Sequence, residues 1–158
     1  MITVTRYHDF CAGHRVAGHE NKCSQLHGHN YRIYFTCTAE SLDGVGRVID
    51  FAAIKEKLCD WLERNWDHKM LLWKDDPWTF DIEGHEDKNN RFYHGNGRKL
   101  VDAETGLVFV PFNPTAENMA KHLVEVVGPR QLEGTDVQLI KVVVEETRKC
   151  SATYERGA

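Results

Sequence analysis

The stretch KCSQLHGHNYRIYFTCTA, Lys22 to Ala39, holds the firmest element of the fold and the densest chemistry of the chain side by side. From Asn30 to Ala39, the residues Tyr31, Ile33, Phe35, Cys37 and Ala39 alternate with Arg32, Tyr34, Thr36 and Thr38. A period of two predicts a half-buried strand, because successive side chains of an extended chain point to opposite faces. Just before it, His27-Gly28-His29 puts two imidazoles on one face of the same extended segment, with no side chain between them. His14, on the end of an earlier strand expected from Ile2 to about Phe10, can supply a third nitrogen. Three protein ligands with an open fourth position are the pattern of catalytic zinc. Cys23 stands four residues before His27, and two roles fit it: a fourth ligand that closes the site, or a reactive thiolate beside the metal.

Working outward, SLDGVGRVID supplies a glycine-bearing turn and a short apolar stretch at Val48 and Ile49. Phe51, Ile54, Lys55, Leu58 and Leu62 then recur at helical spacing and predict a helix over about 51–65, with Asp50 as its N-cap. The residues Trp73 to Asn113 show no clear period and are rich in turn formers, so a long excursion is expected there, with room for a small hairpin. Pro114 and Thr115 open a second helix with Ala116, Met119, Ala120, Leu123 and Val127 on one face, which Gly128 and Pro129 should stop. VQLIKVVVEE reads as a strand with both faces largely covered, and SATYE as its continuation into an edge.

Composition narrows the function. A chain of 158 residues with no interdomain linker fits one domain, 1–158. A formal charge of −4 and no basic block argue against a nucleic-acid groove and favour a small-molecule substrate. No apolar run approaches a membrane span, and the N-terminus lacks a signal-peptide layout, so a cytoplasmic protein is expected. The five cysteines are odd in number and scattered, which predicts free thiols. The excursion adds His85 and His94, expected to be solvated loop residues.

Six blocks along the chain carry a resemblance. FCAGHRV (Phe10 to Val16), CSQLHGHNY (Cys23 to Tyr31), VIDF (Val48 to Phe51), WDHKML (Trp66 to Leu71), PTAEN (Pro114 to Asn118) and VEET (Val144 to Thr147) together resemble the 6-pyruvoyltetrahydropterin synthase family. The three-residue gap between Cys23 and His27 is most similar to its bacterial branch, the 6-carboxytetrahydropterin synthases of queuosine biosynthesis. The resemblance implies an α+β T-fold: a four-stranded antiparallel sheet with two helices on one face, assembling as an oligomeric barrel, typically a homohexamer of two trimers. It also implies active sites between subunits. The length of the excursion departs from the plainer bacterial members.

For the site, the resemblance implies zinc on His14, His27 and His29, with Cys23 as the proton acceptor and Asp67 with His68 as the relay that keeps it active. Glu146 would anchor the pterin, since a carboxylate at the end of a covered strand matches the adjacent N–H groups of an aminopyrimidinone edge. Thr115 and Glu117 match the family near the pterin, although helix capping accounts for them equally well. Without the resemblance, His68 reads as a helix C-terminal histidine and Glu145 as the structural member of the Glu145-Glu146 pair. The implied substrate is 7,8-dihydroneopterin triphosphate, whose charge needs cations such as Arg15, Lys22 or Arg32. Two other functions stay open at this point. One is a 6-pyruvoyltetrahydropterin synthase that keeps every side-chain carbon; the other is a non-catalytic zinc protein closed by Cys23.

Overall fold

The computed structural model describes residues 1–78 and 106–157. Their strands are β1 (Thr3–His14), β2 (His27–Ala39), β3 (Lys69–Trp73), β4 (Leu107–Val110), β5 (Val137–Thr147) and β6 (Cys150–Glu155). They hydrogen-bond in the order β4-β3-β1-β2-β5-β6. The α+β class is as expected, but the sheet has six strands instead of four, and it is mixed. β5 runs antiparallel to both β2 and β6, whereas β3 pairs parallel with β1 and with β4.

By its contacts the chain forms two compact units. The first comprises Met1–Phe10, Asn30–Arg64 and Ala116–Ala158. Here the period-two pattern of β2 becomes a buried face of Tyr31, Ile33, Phe35 and Cys37, with Phe10 stacked on Tyr31 at 5.3 Å between ring centres. Opposite it, β5 buries Leu139, Val142 and Val144, while Ile140, Val143 and Glu145 on its second face are half-buried, a cover less complete than on the first. The expected turn is present at Asp43 to Arg47, with Gly46 in the left-handed region at φ 89°.

The first helix spans 51–65 as the spacing predicts, in three pieces: α-helical Phe51–Ile54, a π-helical stretch Lys55–Cys59 and α-helical Asp60–Asn65. Asp50 caps it through its side chain, which accepts from Ala52 N–H at 2.8 Å. The wide turn brings Leu58, Cys59 and Leu62 inward with Ile54, and it leaves Phe51, expected on that face, 55% exposed.

Ala116–His122 begins the second helix against β5 and β6, burying Ala116, Met119 and Ala120. Gly128 and Pro129 do not stop it. A π-helical stretch at Leu123–Val127 is followed by a further α-helical turn, Gly128–Gln131, in which Pro129 occupies the first turn and needs no N–H partner. Gly128 is there for space: a Cβ on it would lie 2.8 Å from Leu139 Cδ2 and 2.9 Å from Leu139 Cβ. Gly128→Ala is therefore expected to lower stability by about 1–3 kcal/mol, read as a lower midpoint in urea at unchanged slope.

The second unit comprises, among the described residues, Cys11–His29, 65–78 and 106–115. Its small core is Leu72 and Leu107, with Met70, Trp78 and Phe109 packed against them. β3 ends on the first residue of the stretch expected to be a long excursion, and β4 falls within that stretch. Their pairing is parallel, so they are not the two arms of a hairpin.

Candidate active site

His14 is the last residue of β1, and His27 and His29 open β2. His14 is fully buried; the other two are half-buried. The three rings converge with centres 4.6, 5.1 and 4.9 Å apart. Gly28 lets the backbones approach, since a Cβ there would meet the Ala12 carbonyl oxygen at 3.2 Å. Each of two rings is fixed by a carbonyl: His14 Nδ1 donates to Pro114 O and His27 Nδ1 donates to Gln25 O, both at 2.7 Å. A carbonyl only accepts, so in the neutral rings the proton sits on Nδ1 and the lone pair on Nε2. The two Nε2 atoms face each other at 3.1 Å. Two lone pairs at that distance repel unless a cation lies between them. Nitrogens sharing one tetrahedral zinc stand roughly 3.3 Å apart, and carbonyl partners on the far nitrogens are the usual outer support of histidine ligands. The donor set fits a zinc ion, or a cation with similar preferences.

Cys23 lies in a 3₁₀ turn, Lys22–Ser24, where its carbonyl accepts from Val16 N–H at 2.7 Å. Its sulfur is not in the group of ligand atoms, within 4.8 Å of one another, that joins the three imidazoles.

Asp67 and His68 fall in the turn between the first helix and β3. His68 Nδ1 donates to Asp67 Oδ2 at 2.7 Å, so the expected pair forms. The thiol beside it is Cys11, at 3.5 Å from His68 Nε2. From the sequence, Cys11 is expected only as a free thiol. The available signal was its place three residues before His14, which by strand alternation turns it to the other face of β1 from Ala12 and His14.

In the first unit, Glu146 is half-buried on β5. Burial foremost, and the Glu146 charge second, hold the Tyr31 phenol well above its ordinary range and so neutral. Glu145 is spoken for: it accepts from Arg148 at 2.7 Å and from Tyr34 at 3.4 Å, which agrees with its structural reading. Thr115 immediately precedes the second helix, and Glu117 is exposed in its first turn. Of the candidate cations, Arg15 pairs with buried Asp76 at 2.9 Å, and Arg32 binds Asp9 through two bonds of 2.7 and 2.9 Å while lying over Tyr7. Both are committed within the fold, whereas Lys22 is exposed. His85 and His94 lie outside the described residues.

With this geometry in place, the likeness to known proteins is informative. The sequence pattern of the 6-pyruvoyl tetrahydropterin synthase family matches residues 3–157. The chain belongs to that family. Among its relatives, the 6-carboxy-5,6,7,8-tetrahydropterin synthase of Rickettsia typhi is 35% identical, over 95% of this chain and 97% of that one. The protein of the same name from Rickettsia bellii is 33% identical over the same shares. Most of the long excursion therefore falls inside the matched span, and its length does not set this chain apart from these relatives. In fold, an uncharacterized protein of Wolinella succinogenes superposes with a TM-score of 0.78 at 24% identity, covering 99% of this chain and 98% of that one. A 6-pyruvoyltetrahydropterin synthase of Plasmodium vivax does so with a TM-score of 0.67 at 22% identity, covering both chains fully. The family's tetrahydropterin synthases are lyases acting on pterins, and this chain is one of them. Among the described residues, no helix is long and apolar enough to cross a membrane.

Proposed function

We propose that the chain is a zinc-dependent 6-carboxy-5,6,7,8-tetrahydropterin synthase serving queuosine biosynthesis. It would convert 7,8-dihydroneopterin triphosphate to 6-carboxytetrahydropterin with loss of triphosphate and acetaldehyde. The observation that carries the metal-dependent reading is the pair of opposed imidazole nitrogens, 3.1 Å apart, whose outer nitrogens both donate to carbonyls. The names of the relatives, at 33–35% identity over 95% of the chain, favour the carboxy product.

In this reading His14, His27 and His29 hold the zinc. When bound, it acts as a Lewis acid toward side-chain hydroxyls of the substrate, acidifying the neighbouring C–H and O–H protons. Cys23 takes and returns the proton, and the Asp67-His68 pair keeps a thiol in its reactive form. Glu146 accepts from the N–H edge of the pterin, with Thr115 and Glu117 beside that ring. On its own chain, the Asp67-His68 pair faces Cys11; service to Cys23 then comes from a neighbouring copy, as in a site between subunits. The reading carries with it a hexamer of two trimers and a cytoplasmic location.

The test is to incubate zinc-loaded protein with 7,8-dihydroneopterin triphosphate and weigh the products. The expected result is 6-carboxytetrahydropterin with equivalent amounts of acetaldehyde and triphosphate. A pyruvoyl product without acetaldehyde would overturn the carboxy assignment, and absence of any turnover would return the zinc site to a structural role.

A further inference from the structure

Asn113 is a half-buried residue of the second unit, immediately before Pro114. Its side-chain amide meets the backbone of Ala17 twice: Nδ2 donates to Ala17 O at 2.9 Å, and Ala17 N–H donates to Oδ1 at 3.0 Å. The donor and acceptor of one amide thus match the acceptor and donor of one residue 96 positions away in the chain. A two-bond contact of this kind fixes orientation as well as distance. The turn that follows carries this fixed point to the histidine cluster. Thr115 N–H donates to Asn113 O at 2.7 Å, closing a three-residue turn with Pro114 at its centre, where the proline ring sets φ in advance. Pro114 is buried and has no N–H, so its carbonyl is the one backbone group it must satisfy, and His14 Nδ1 donates to it at 2.7 Å. Between these points, Val16 N–H donates to Cys23 O at 2.7 Å. The segment from His14 to Ala17 is therefore held at three places, and Asn113 reaches two of them: Ala17 directly and His14 through Pro114.

Tying two loops together would account for the Asn113 hydrogen bonds alone. It would not account for the next residue presenting the acceptor that fixes a ligand ring. We propose that Asn113 is a positioning residue of the metal site: by clamping Ala17 it sets the Pro114 carbonyl against His14, which keeps the ring proton on Nδ1 and aims the Nε2 lone pair at the cation. The inference rests on the zinc reading of the three histidines. Without the clamp, the Pro114 carbonyl shifts and the His14 ring is free to turn or to carry its proton on Nε2, where that nitrogen has no lone pair to give. Loss of a group that orients a metal ligand typically weakens metal binding about 10–100-fold.

The test is the zinc dissociation constant of the full chain, read by competition with a chromogenic chelator, for wild type, Asn113→Ala and Gly128→Ala. Gly128→Ala is the control for general destabilisation, since its clash is with Leu139, in the unit that does not contain His14. Asn113→Ala is expected to weaken zinc binding about 10–100-fold, and Gly128→Ala to leave it unchanged. Asn113→Ser keeps a polar atom but is too short to bridge both Ala17 groups; it should weaken zinc likewise, and it stands in if the alanine variant does not fold. Cobalt in place of zinc gives a second readout, because its visible absorption follows ligand geometry. The bands should change in the Asn113 variants and keep their wild-type form in Gly128→Ala. Zinc affinity equal to wild type in the Asn113 variants, or lowered as much in Gly128→Ala, would overturn the positioning role while leaving the three-histidine site standing. A wild type that binds no zinc would remove that site itself, and the positioning role with it.

Discussion

His14→Ala is expected to strip the protein of zinc and lower kcat/KM by about 10³-fold or more. A metal that polarises oxygen supplies several kcal/mol of transition-state stabilisation, and about 4 kcal/mol corresponds to that factor. Of the three imidazoles, His14 is the one with no exposure to solvent, and its Nδ1 proton satisfies the Pro114 carbonyl. Removing it leaves two half-buried ligands, and it also strands a carbonyl that water reaches poorly. The second effect adds a stability loss of about 1–3 kcal/mol. His27→Ala should match it in metal loss while costing less stability, because its partner, Gln25 O, belongs to an exposed residue. Metal analysis of gel-filtered protein, set beside melting curves, separates the two contributions. Zinc bound at one equivalent per chain in both variants would sink the three-histidine site.

What the sequence discloses follows the range of the interactions involved. The alternation in Asn30 to Ala39 and the spacing from Ile54 to Leu62 are local patterns, and both became the elements they predict. So did the Asp50 cap, because an N-cap is decided within three residues. The histidine cluster was legible for a similar reason: two of its members share a strand face, and Gly28 marks the close approach. β3 was not legible. KMLLW follows the helix so closely that its apolar residues merge with the helical pattern, and the break is a left-handed backbone at His68, where glycine would have announced it. Nor was β4, whose parallel partner lies more than thirty residues back in the chain and is found by packing alone. Gly128-Pro129 misled because a π-helical stretch placed the proline where no N–H was needed. The Cys11 contact escaped since it depends on residues 56 and 57 positions later returning beside β1.

Cys23→Ser is expected to retain zinc and to lose turnover by about 10²–10⁴-fold, the usual contribution of a positioned proton carrier. Serine keeps the shape and a hydrogen-bonding atom. An ordinary thiol titrates at about 8.5, within reach of activation by a metal or imidazolium, whereas a hydroxyl does not ionise near neutral pH. Metal retention is expected because the Cys23 sulfur stands outside the nitrogen cluster. X-ray absorption at the zinc edge decides between the roles left open by sequence: a sulfur scatterer lost on going from wild type to Cys23→Ser would make Cys23 a ligand and the site a closed one. The parallel Cys11→Ser variant sharpens the assignment, since Asp67-His68 faces Cys11 within its own chain. If Cys11→Ser abolished turnover while Cys23→Ser spared it, the working thiol would be the one on β1, and the proton carrier would have to be reassigned with it.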